Sequence, residues 1–343
     1  MADTFDAVLV MGFGGPEKTE DVMPFLENVT RGRGVPRERL LEVAENYYLF
    51  GGRSPINDQC RALIAALQAE FERHGLRLPV YWGNRNWAPY LEATVRQMMT
   101  DGVQRAFAVP MSAYSGYSAC RQYLDDLERA QAAIGPGAPH FERLPHFCLM
   151  PGFLEPMIEN VRVAFEKIAL EQRSAAQLLF TAHSIPVSMA TNSKYLDQLS
   201  EVARLIAAGV GHPAHRLVFQ SRSGPPQQPW LEPDVRDALA EAARDGVTQV
   251  VVAPIGFISD HMEVIFDLDT QARETAEKLG LHWVRAATVG TDPRFITLLR
   301  TLMEQRMRGE REAWSWPCYG ECCPPPRRHS PAPGAPPAVR PGR

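Results

Sequence analysis

The sequence has little excess charge of either sign, no long apolar run and no leader-like beginning. Its 36 lysines and arginines are set against 40 aspartates and glutamates, which leaves a formal net charge of −4. This balance argues against a general binder of nucleic acid or of anionic membranes. No run of 18 or more apolar residues is present to span a bilayer. Residues 1–6 lack the basic stretch and apolar core of a secretory signal, so we expect a cytoplasmic protein.

Cysteine is also scarce, with 6 among 343 residues, but three of the six crowd near the end of the chain as Cys318, Cys322 and Cys323. In a cytoplasmic protein such crowding favours metal ligation over disulfide formation. Cys60 and Cys120 fall inside helical patterns, and we expect both to be buried.

Strand-like and helix-like segments alternate along most of the chain. Apolar runs at residues 7–11, 105–109, 176–180 and 250–254 are typical of buried strands. Alternation with amphipathic segments predicts parallel sheets covered by helices, an α/β fold. A chain of 343 residues that is 45 % apolar is long enough for two domains of ordinary size.

A weak internal sequence repeat, called the internal echo below, indicates two similar halves. Residues 101–110 resemble residues 245–254, and residues 11–16 weakly echo residues 181–186. We therefore predict an N-terminal domain at 1–150 and a C-terminal domain at 151–310, joined near Met150-Pro-Gly152. The remaining stretch, 311–343, carries three cysteines and ends rich in proline, arginine and glycine, so we predict a disordered tail.

His183 and Glu263 lie 80 residues apart, and each follows a strand-like run at the start of a helical pattern. Ligands of open α/β sheets bind outside the carboxyl ends of the strands. An imidazole and a carboxylate that meet there can take up protons or hold a divalent metal. Asp267, one helical turn after Glu263, either extends this site or is an ordinary acidic first turn. His261 competes for the metal role, but its position favours a structural hydrogen bond.

In the internal echo, Phe13 is the counterpart of His183. The sequence therefore predicts a cleft with an apolar wall on one side and a histidine on the other. A flat aromatic ligand would suit such a cleft.

Several motifs in order and spacing resemble those of ferrochelatase, over about residues 5–325. They are Gly-Gly-Pro-Glu at 14–17, Gly-Gly-Arg-Ser-Pro-Ile-Asn at 51–57, Thr-Ala-His-Ser-Ile-Pro at 181–186, residues 220–225 with 229–233, and Ser-Asp-His-Met-Glu at 259–263. The chain is most similar to the bacterial branch that inserts iron into coproporphyrin III. The resemblance implies two Rossmann-like domains of the type II chelatase kind, with the porphyrin in the cleft between them.

The resemblance also implies roles for single residues. His183 and Glu263 match the catalytic pair that faces the porphyrin centre and the incoming Fe(II). Ser54 and Tyr123 match contacts to the macrocycle or its propionates, and Arg31 lies in a basic segment near the substrate mouth. Phe13 stands where relatives carry a tyrosine that can ligate product iron, and phenylalanine cannot. Some relatives hold a [2Fe–2S] cluster, for which the matching ligands are Cys148, Cys318, Cys322 and Cys323.

Alternatives to a coproporphyrin III ferrochelatase stay open at this point. The close variant acts on protoporphyrin IX, and a cobalt or nickel chelatase for a corrin precursor is a second enzyme. A porphyrin or haem carrier would use the same cleft without catalysis. The resemblance implies coproporphyrin III and Fe(II) as partners, and a transient hand-over of product to the next enzyme of haem biosynthesis. The tail cysteines are either cluster ligands or reduced and unligated.

Overall fold

A computed structural model of the protein describes residues 4–224, 227–310 and 323. The first half runs, in chain order, through β1 (Ala7–Gly12), α1 (Val22–Val29), α2 (Arg37–Tyr48), α3 (Ile56–Arg73), β2 (Val80–Asn84), α4 (Leu91–Thr100), β3 (Arg105–Pro110), α5 (Gln122–Ile134) and β4 (His140–Arg143). A single π-helical turn, Tyr117–Arg121, leads into α5.

The second half runs through α6 (Pro151–Glu166), β5 (Gln177–His183), α7 (Val187–Thr191), α8 (Tyr195–Val210), β6 (His215–Gln220), α9 (Val235–Arg244), β7 (Gln249–Ala253), α10 (Met262–Val264), α11 (Arg273–Lys278), β8 (His282–Arg285) and α12 (Pro293–Met307). A π-helical stretch, Ile265–Ala272, joins α10 to α11.

The strands form two parallel sheets with the same order. The first is β2-β1-β3-β4 and the second is β6-β5-β7-β8. The central strands β1, β5 and β7 are almost wholly buried, because helices cover both faces of a parallel sheet. The predicted α/β fold with two similar halves is confirmed. Strand order reverses between β1 and β3 and again between β5 and β7, so the crevices that bind ligands in this fold lie at those carboxyl ends.

One apolar core runs through both halves. It joins Val8 of β1 and Leu63 of α3 to Phe180 of β5 and Val251 of β7. The two halves are joined at the start of α6, where the Phe153 ring packs between an aromatic ring of each half. Its ring centroid lies 5.9 Å from that of Phe147 in the first half and 6.1 Å from that of Phe295 in the second. The predicted domain boundary at residue 150 falls just before α6, but the halves on either side of it share this core.

Buried hydrogen bonds also tie the halves together. The Tyr114 hydroxyl donates to the Ile255 carbonyl at 2.7 Å, and the Ser115 backbone N–H donates to Gln198 Oε1 at 2.8 Å. The Arg300 guanidinium on α12 donates to Glu70 on α3 at 2.9 Å. The first two of these hydrogen bonds are buried, so losing one partner leaves the other without water to replace it.

Of the residues after 310, the structure describes only Cys323. Cys318 and Cys322, and all but one residue of the predicted disordered tail, lie outside the described residues. Among the helices that the structure describes, none combines the length and the apolar character needed to cross a membrane.

We predict that Tyr114→Phe lowers the free energy of unfolding by about 1–3 kcal/mol, because the Ile255 carbonyl stays buried without a donor. Urea unfolding followed by circular dichroism measures the change. Tyr81→Phe is the matched control, since its hydroxyl binds Asp101 at the surface, and should change stability by no more than about 0.5 kcal/mol. Equal losses in the two variants would contradict the interpretation.

Candidate active site

His183 is the last residue of β5, where the buried strand opens toward the crevice. Its backbone carbonyl accepts a hydrogen bond from the Tyr195 hydroxyl at 3.1 Å, and its ring Nδ1 lies against the Ser184 carbonyl. A proton on Nδ1 satisfies that carbonyl, so the other ring nitrogen is presented to the crevice. Nε2 lies 3.5 Å from Glu263 Oε1, and the predicted meeting of these two side chains is observed.

Glu263 is held at the start of the short helix α10. Its backbone N–H donates to His261 Nδ1 at 3.2 Å, and its carbonyl accepts from the Gln220 amide at 2.7 Å. His261 is the N-cap residue of α10, the structural role favoured for it over metal binding. The preceding loop passes so close to β5 that a Cβ on Gly256 would lie 2.6 Å from that of Ala182. Only glycine allows this approach.

His183 and Glu263 form an ion pair at neutral pH. The His183 side chain is 30 % exposed and the Glu263 side chain 47 %, and partial removal from water opposes the charge on each, but each group's partner outweighs it. Burial favours a lower pKa for His183, yet the Glu263 carboxylate raises that pKa to about 9. Burial favours a higher pKa for Glu263, yet the His183 charge lowers it to about 2. The His183 charge therefore makes its full contribution to the free energy of unfolding below its ordinary pKa of 6.5. This contribution is lost as pH rises through about 9.

Asp267 lies beside this pair in the π-helical stretch. Burial raises its pKa to about 6, and the negative charge of Glu263 adds to this, although a hydrogen bond from the Ser221 hydroxyl opposes it. Ser221 adopts a left-handed backbone with φ of 62°, which is strained for a residue other than glycine. Strained residues and π-helical turns concentrate at functional sites. An ordinary exposed acidic first turn would show neither feature.

Aromatic side chains of the first half form the opposite wall of the crevice. Phe13 follows β1, is 36 % exposed and lies edge-on to Phe25 at 6.3 Å. Phe25 in turn contacts Tyr47 at 5.9 Å and Trp87 at 6.2 Å between ring centroids. This supports the apolar wall that the internal echo of the sequence predicts.

Tyr47 of α2 lies near the carboxylates of the second half. Burial raises its pKa, and the negative charges of Glu263 and Asp267 raise it further. The charges of Glu263 and Asp267 therefore act on Tyr47, whose ring packs against Phe25. Sequence reasoning missed this residue, because a tyrosine in an amphipathic helix is typical of core packing.

The remaining predicted contacts all lie in the first half. Ser54 is 5 % exposed, and its backbone N–H donates to the Pro16 carbonyl at 2.9 Å. Tyr123 is 6 % exposed and lies beneath the Arg85 guanidinium, 4.1 Å from the ring centroid. Arg31 is exposed and forms no ion pair with any described residue. None of the three is hydrogen-bonded to His183 or Glu263 among the residues that the structure describes.

Of the four predicted cluster ligands, the structure describes only Cys148 and Cys323. Cys148 is 1 % exposed in the shared core, and burial raises the pKa of its thiol to about 12. Cys323 is half-buried, while Cys318 and Cys322 lie outside the described residues. Within the described ranges, no three histidine, cysteine or acidic side chains are grouped closely enough to hold a metal ion.

Comparison with known proteins identifies the family of this chain. A model of the ferrochelatase family matches residues 5–307. The chain is 52 % identical to the coproporphyrin III ferrochelatase of Streptomyces coelicolor, covering 92 % of this chain and 89 % of that protein. It is 49 % identical to the coproporphyrin III ferrochelatase of Nocardia farcinica, covering 94 % of this chain and 97 % of that protein.

Solved structures of other chelatases share the fold. SirB from Bacillus subtilis with Fe3+ matches with a TM-score of 0.55 and 12 % identity, covering 89 % of this chain and 96 % of that one. The sirohydrochlorin chelatase SirB from Bacillus subtilis subspecies spizizenii in complex with cobalt matches with a TM-score of 0.52 and 12 % identity, covering 89 % and 97 %. At this identity the likeness concerns the fold alone, and it confirms the predicted chelatase-like architecture.

We predict that the His183 imidazole titrates near pH 9 and that Glu263→Gln lowers its pKa toward or below 6.5, because burial then acts without the neighbouring carboxylate. Proton NMR of the histidine rings measures this, with the His183 signal assigned from the spectrum of His183→Gln. Glu241→Gln, which removes the carboxylate that pairs with Arg216, should leave the titration unchanged. A His183 signal that titrates alike in the Glu263→Gln variant and the unaltered protein would show that the two side chains are not coupled.

Proposed function

The chain belongs to the ferrochelatase family, and we infer from this that it inserts Fe(II) into coproporphyrin III to give Fe-coproporphyrin III in haem biosynthesis. The observation that carries the substrate is the identity of about 50 %, over about nine-tenths of the chain, to several coproporphyrin III ferrochelatases. We place the reaction in the cytoplasm, with transfer of the product to the next enzyme of the pathway.

Insertion of a metal into a porphyrin requires proton loss, metal dehydration and ring distortion, and a rigid cleft can promote the last of these. Two pyrrole N–H protons must leave while Fe(II) loses water and enters a rigid ring. The ring must pucker so that its nitrogen lone pairs point at the metal, and binding energy from the rest of the macrocycle can supply that strain. The shared core and buried hydrogen bonds between the halves support such a cleft, because they resist its opening.

We propose that His183 and Glu263 are the catalytic pair, since Fe(II) accepts both imidazole and carboxylate ligands. Because the pKa of His183 is raised to about 9, its ring carries protons on both nitrogens at neutral pH, and it must release one of them before it can accept a proton from a pyrrole or bind Fe(II). Asp267 lies next to Glu263, and its pKa of about 6 allows it to exchange protons near neutral pH. A route for protons from the ring centre through His183, Glu263 and Asp267 follows from this arrangement.

We propose that the first half binds the macrocycle. Phe13 and Tyr47 offer ring faces and edges for stacking, and Phe13 leaves no oxygen to ligate product iron from that side. Arg31, exposed and unpaired among the described residues, is available to bind a propionate. Ser54 lies two residues before α3 and is 5 % exposed, so contact with its hydroxyl would require a substrate carboxylate to come directly against it. Tyr123 is buried, so its contact with substrate would be limited to the ring edge left uncovered by Arg85.

Two alternatives are distinguished by particular observations. Protoporphyrin IX carries fewer carboxylates than coproporphyrin III, but a propionate of either can pair with Arg31, so the choice of coproporphyrin III rests on the similar proteins named above. A porphyrin carrier needs no proton acceptor at the ring centre, so the His183–Glu263 ion pair favours an enzyme.

We predict Fe(II) insertion into coproporphyrin III in preference to protoporphyrin IX, measured anaerobically and side by side from the loss of porphyrin fluorescence. Glu263→Gln should bind coproporphyrin III as the unaltered protein does but lose about 10²-fold or more in turnover, because one member of the proton-transfer pair is gone. Preference for protoporphyrin IX would reassign the substrate. Tight porphyrin binding by the unaltered protein without any insertion would instead identify a carrier.

We propose a [2Fe–2S] cluster on the family resemblance, with Cys318, Cys322 and Cys323 as ligands and Cys148 as the fourth. The environment of Cys148 does not favour this role, because a thiol in the shared core is stabilised in its protonated form and iron binds the thiolate. No catalytic step depends on the cluster.

The expected result for the cluster is a visible charge-transfer spectrum from anaerobically purified protein, with iron and sulfide in matching amounts. Cys318→Ser should abolish these bands, since a ligand is lost, whereas Cys60→Ala should retain them. A featureless spectrum from carefully handled protein would refute the cluster. Retention of the bands in Cys148→Ser would assign the fourth ligand elsewhere.

A further inference from the structure

Arg285, the last residue of β8, forms a charged link to the segment that carries Glu263. Its guanidinium is 17 % exposed and binds Asp260 in a forked geometry, with Nη1–Oδ1 at 3.1 Å and Nη2–Oδ2 at 3.2 Å. Nε of the same guanidinium donates to Asp269. The two carboxylates lie three residues before and six residues after Glu263. One side chain therefore spans the segment on both sides of the catalytic carboxylate.

α10, the π-helical stretch and α11 follow one another without a break and form one helix over residues 262–278. Eight of its residues, Ile265–Ala272, are π-helical, a conformation that is rare and usually confined to single turns. Glu263 is the second residue of this helix, so contacts that anchor the beginning of the helix help to set the position of the carboxylate.

Those contacts come from two sides of the second sheet. From β6, Gln220 binds the Glu263 carbonyl at 2.7 Å, and Ser221 binds the Asp267 carboxylate. From β8, at the opposite edge of the sheet, Arg285 binds Asp260 and Asp269. Hydrogen bonds from uncharged donors hold one side, and a forked ion pair holds the other. Such charge-assisted contacts are the stronger kind and the more specific in direction.

We propose that Arg285 is a positioning residue for iron insertion, which acts by holding Glu263 at its working distance from His183. The inference rests on the proposed function. Lysine cannot replace the arginine, because one ammonium cannot contact both carboxylates in the same fork geometry. A small displacement of Glu263 then affects the chemical step and leaves macrocycle binding, which lies across the crevice, intact.

The test compares Arg285→Lys with the unaltered protein in steady-state Fe(II) insertion into coproporphyrin III. We expect kcat to fall between about 10-fold and 100-fold, as for other small displacements of a catalytic group. The Kd for coproporphyrin III, measured by fluorescence, should not change. Arg216→Lys is the matched control, since Arg216 lies on β6 of the same sheet and pairs with Glu241 at 2.7 Å, away from the site. It should retain full kcat.

A second variant distinguishes loss of the positioning contact from loss of folding. In Arg285→Ala, millimolar guanidinium should restore part of the lost kcat, whereas methylammonium of equal charge should not, because it lacks the fork. Full kcat in folded Arg285→Lys, or a loss of kcat matched by an equal loss of porphyrin binding, would overturn the positioning role. Absence of insertion by the unaltered protein would instead overturn the proposed function, so the two failures are distinguishable.

Discussion

The shared apolar core between the two halves is the constraint on which the site depends. The walls of the crevice belong to different sheets, and nothing in either sheet alone sets their separation. Phe153 and its ring neighbours, with the buried Tyr114–Ile255 hydrogen bond, fix that separation. Without this core, Tyr47 would not lie close enough to Glu263 and Asp267 to sense their charge. The chemistry therefore depends on packing far from the reacting groups.

Much of the fold is predictable from the sequence, because buried parallel strands leave a local signal. The run at residues 7–11 becomes β1 (Ala7–Gly12), and His183 ends β5 as its position after an apolar run implies. The meeting of His183 with Glu263 follows from strand topology, since the carboxyl ends of adjacent parallel strands share one edge. These features need only local pattern and a general rule of sheet geometry.

Other features depend on contacts between distant segments and leave no local signal. The π-helical stretch after Glu263 reads as ordinary helix in the sequence, and its anchoring by Arg285 appears only when β8 is placed beside it. Tyr47 resembles a core residue of an amphipathic helix until the two halves are joined. Tyr123 shows the converse case: the family resemblance marks it as a substrate contact, yet Arg85 and the surrounding core cover most of its ring.

The two walls of the crevice differ in kind, although the sheets behind them have the same strand order. One wall presents Phe13 and Tyr47, and the other presents His183, Glu263 and Asp267. Substitutions on the aromatic wall can thus change the shape of the crevice, while the ionisable groups of the other wall stay unchanged. A duplicated scaffold of this kind lets selection adjust ligand choice and reactivity in separate halves of one gene. New substrates can then be acquired without rebuilding the catalytic chemistry.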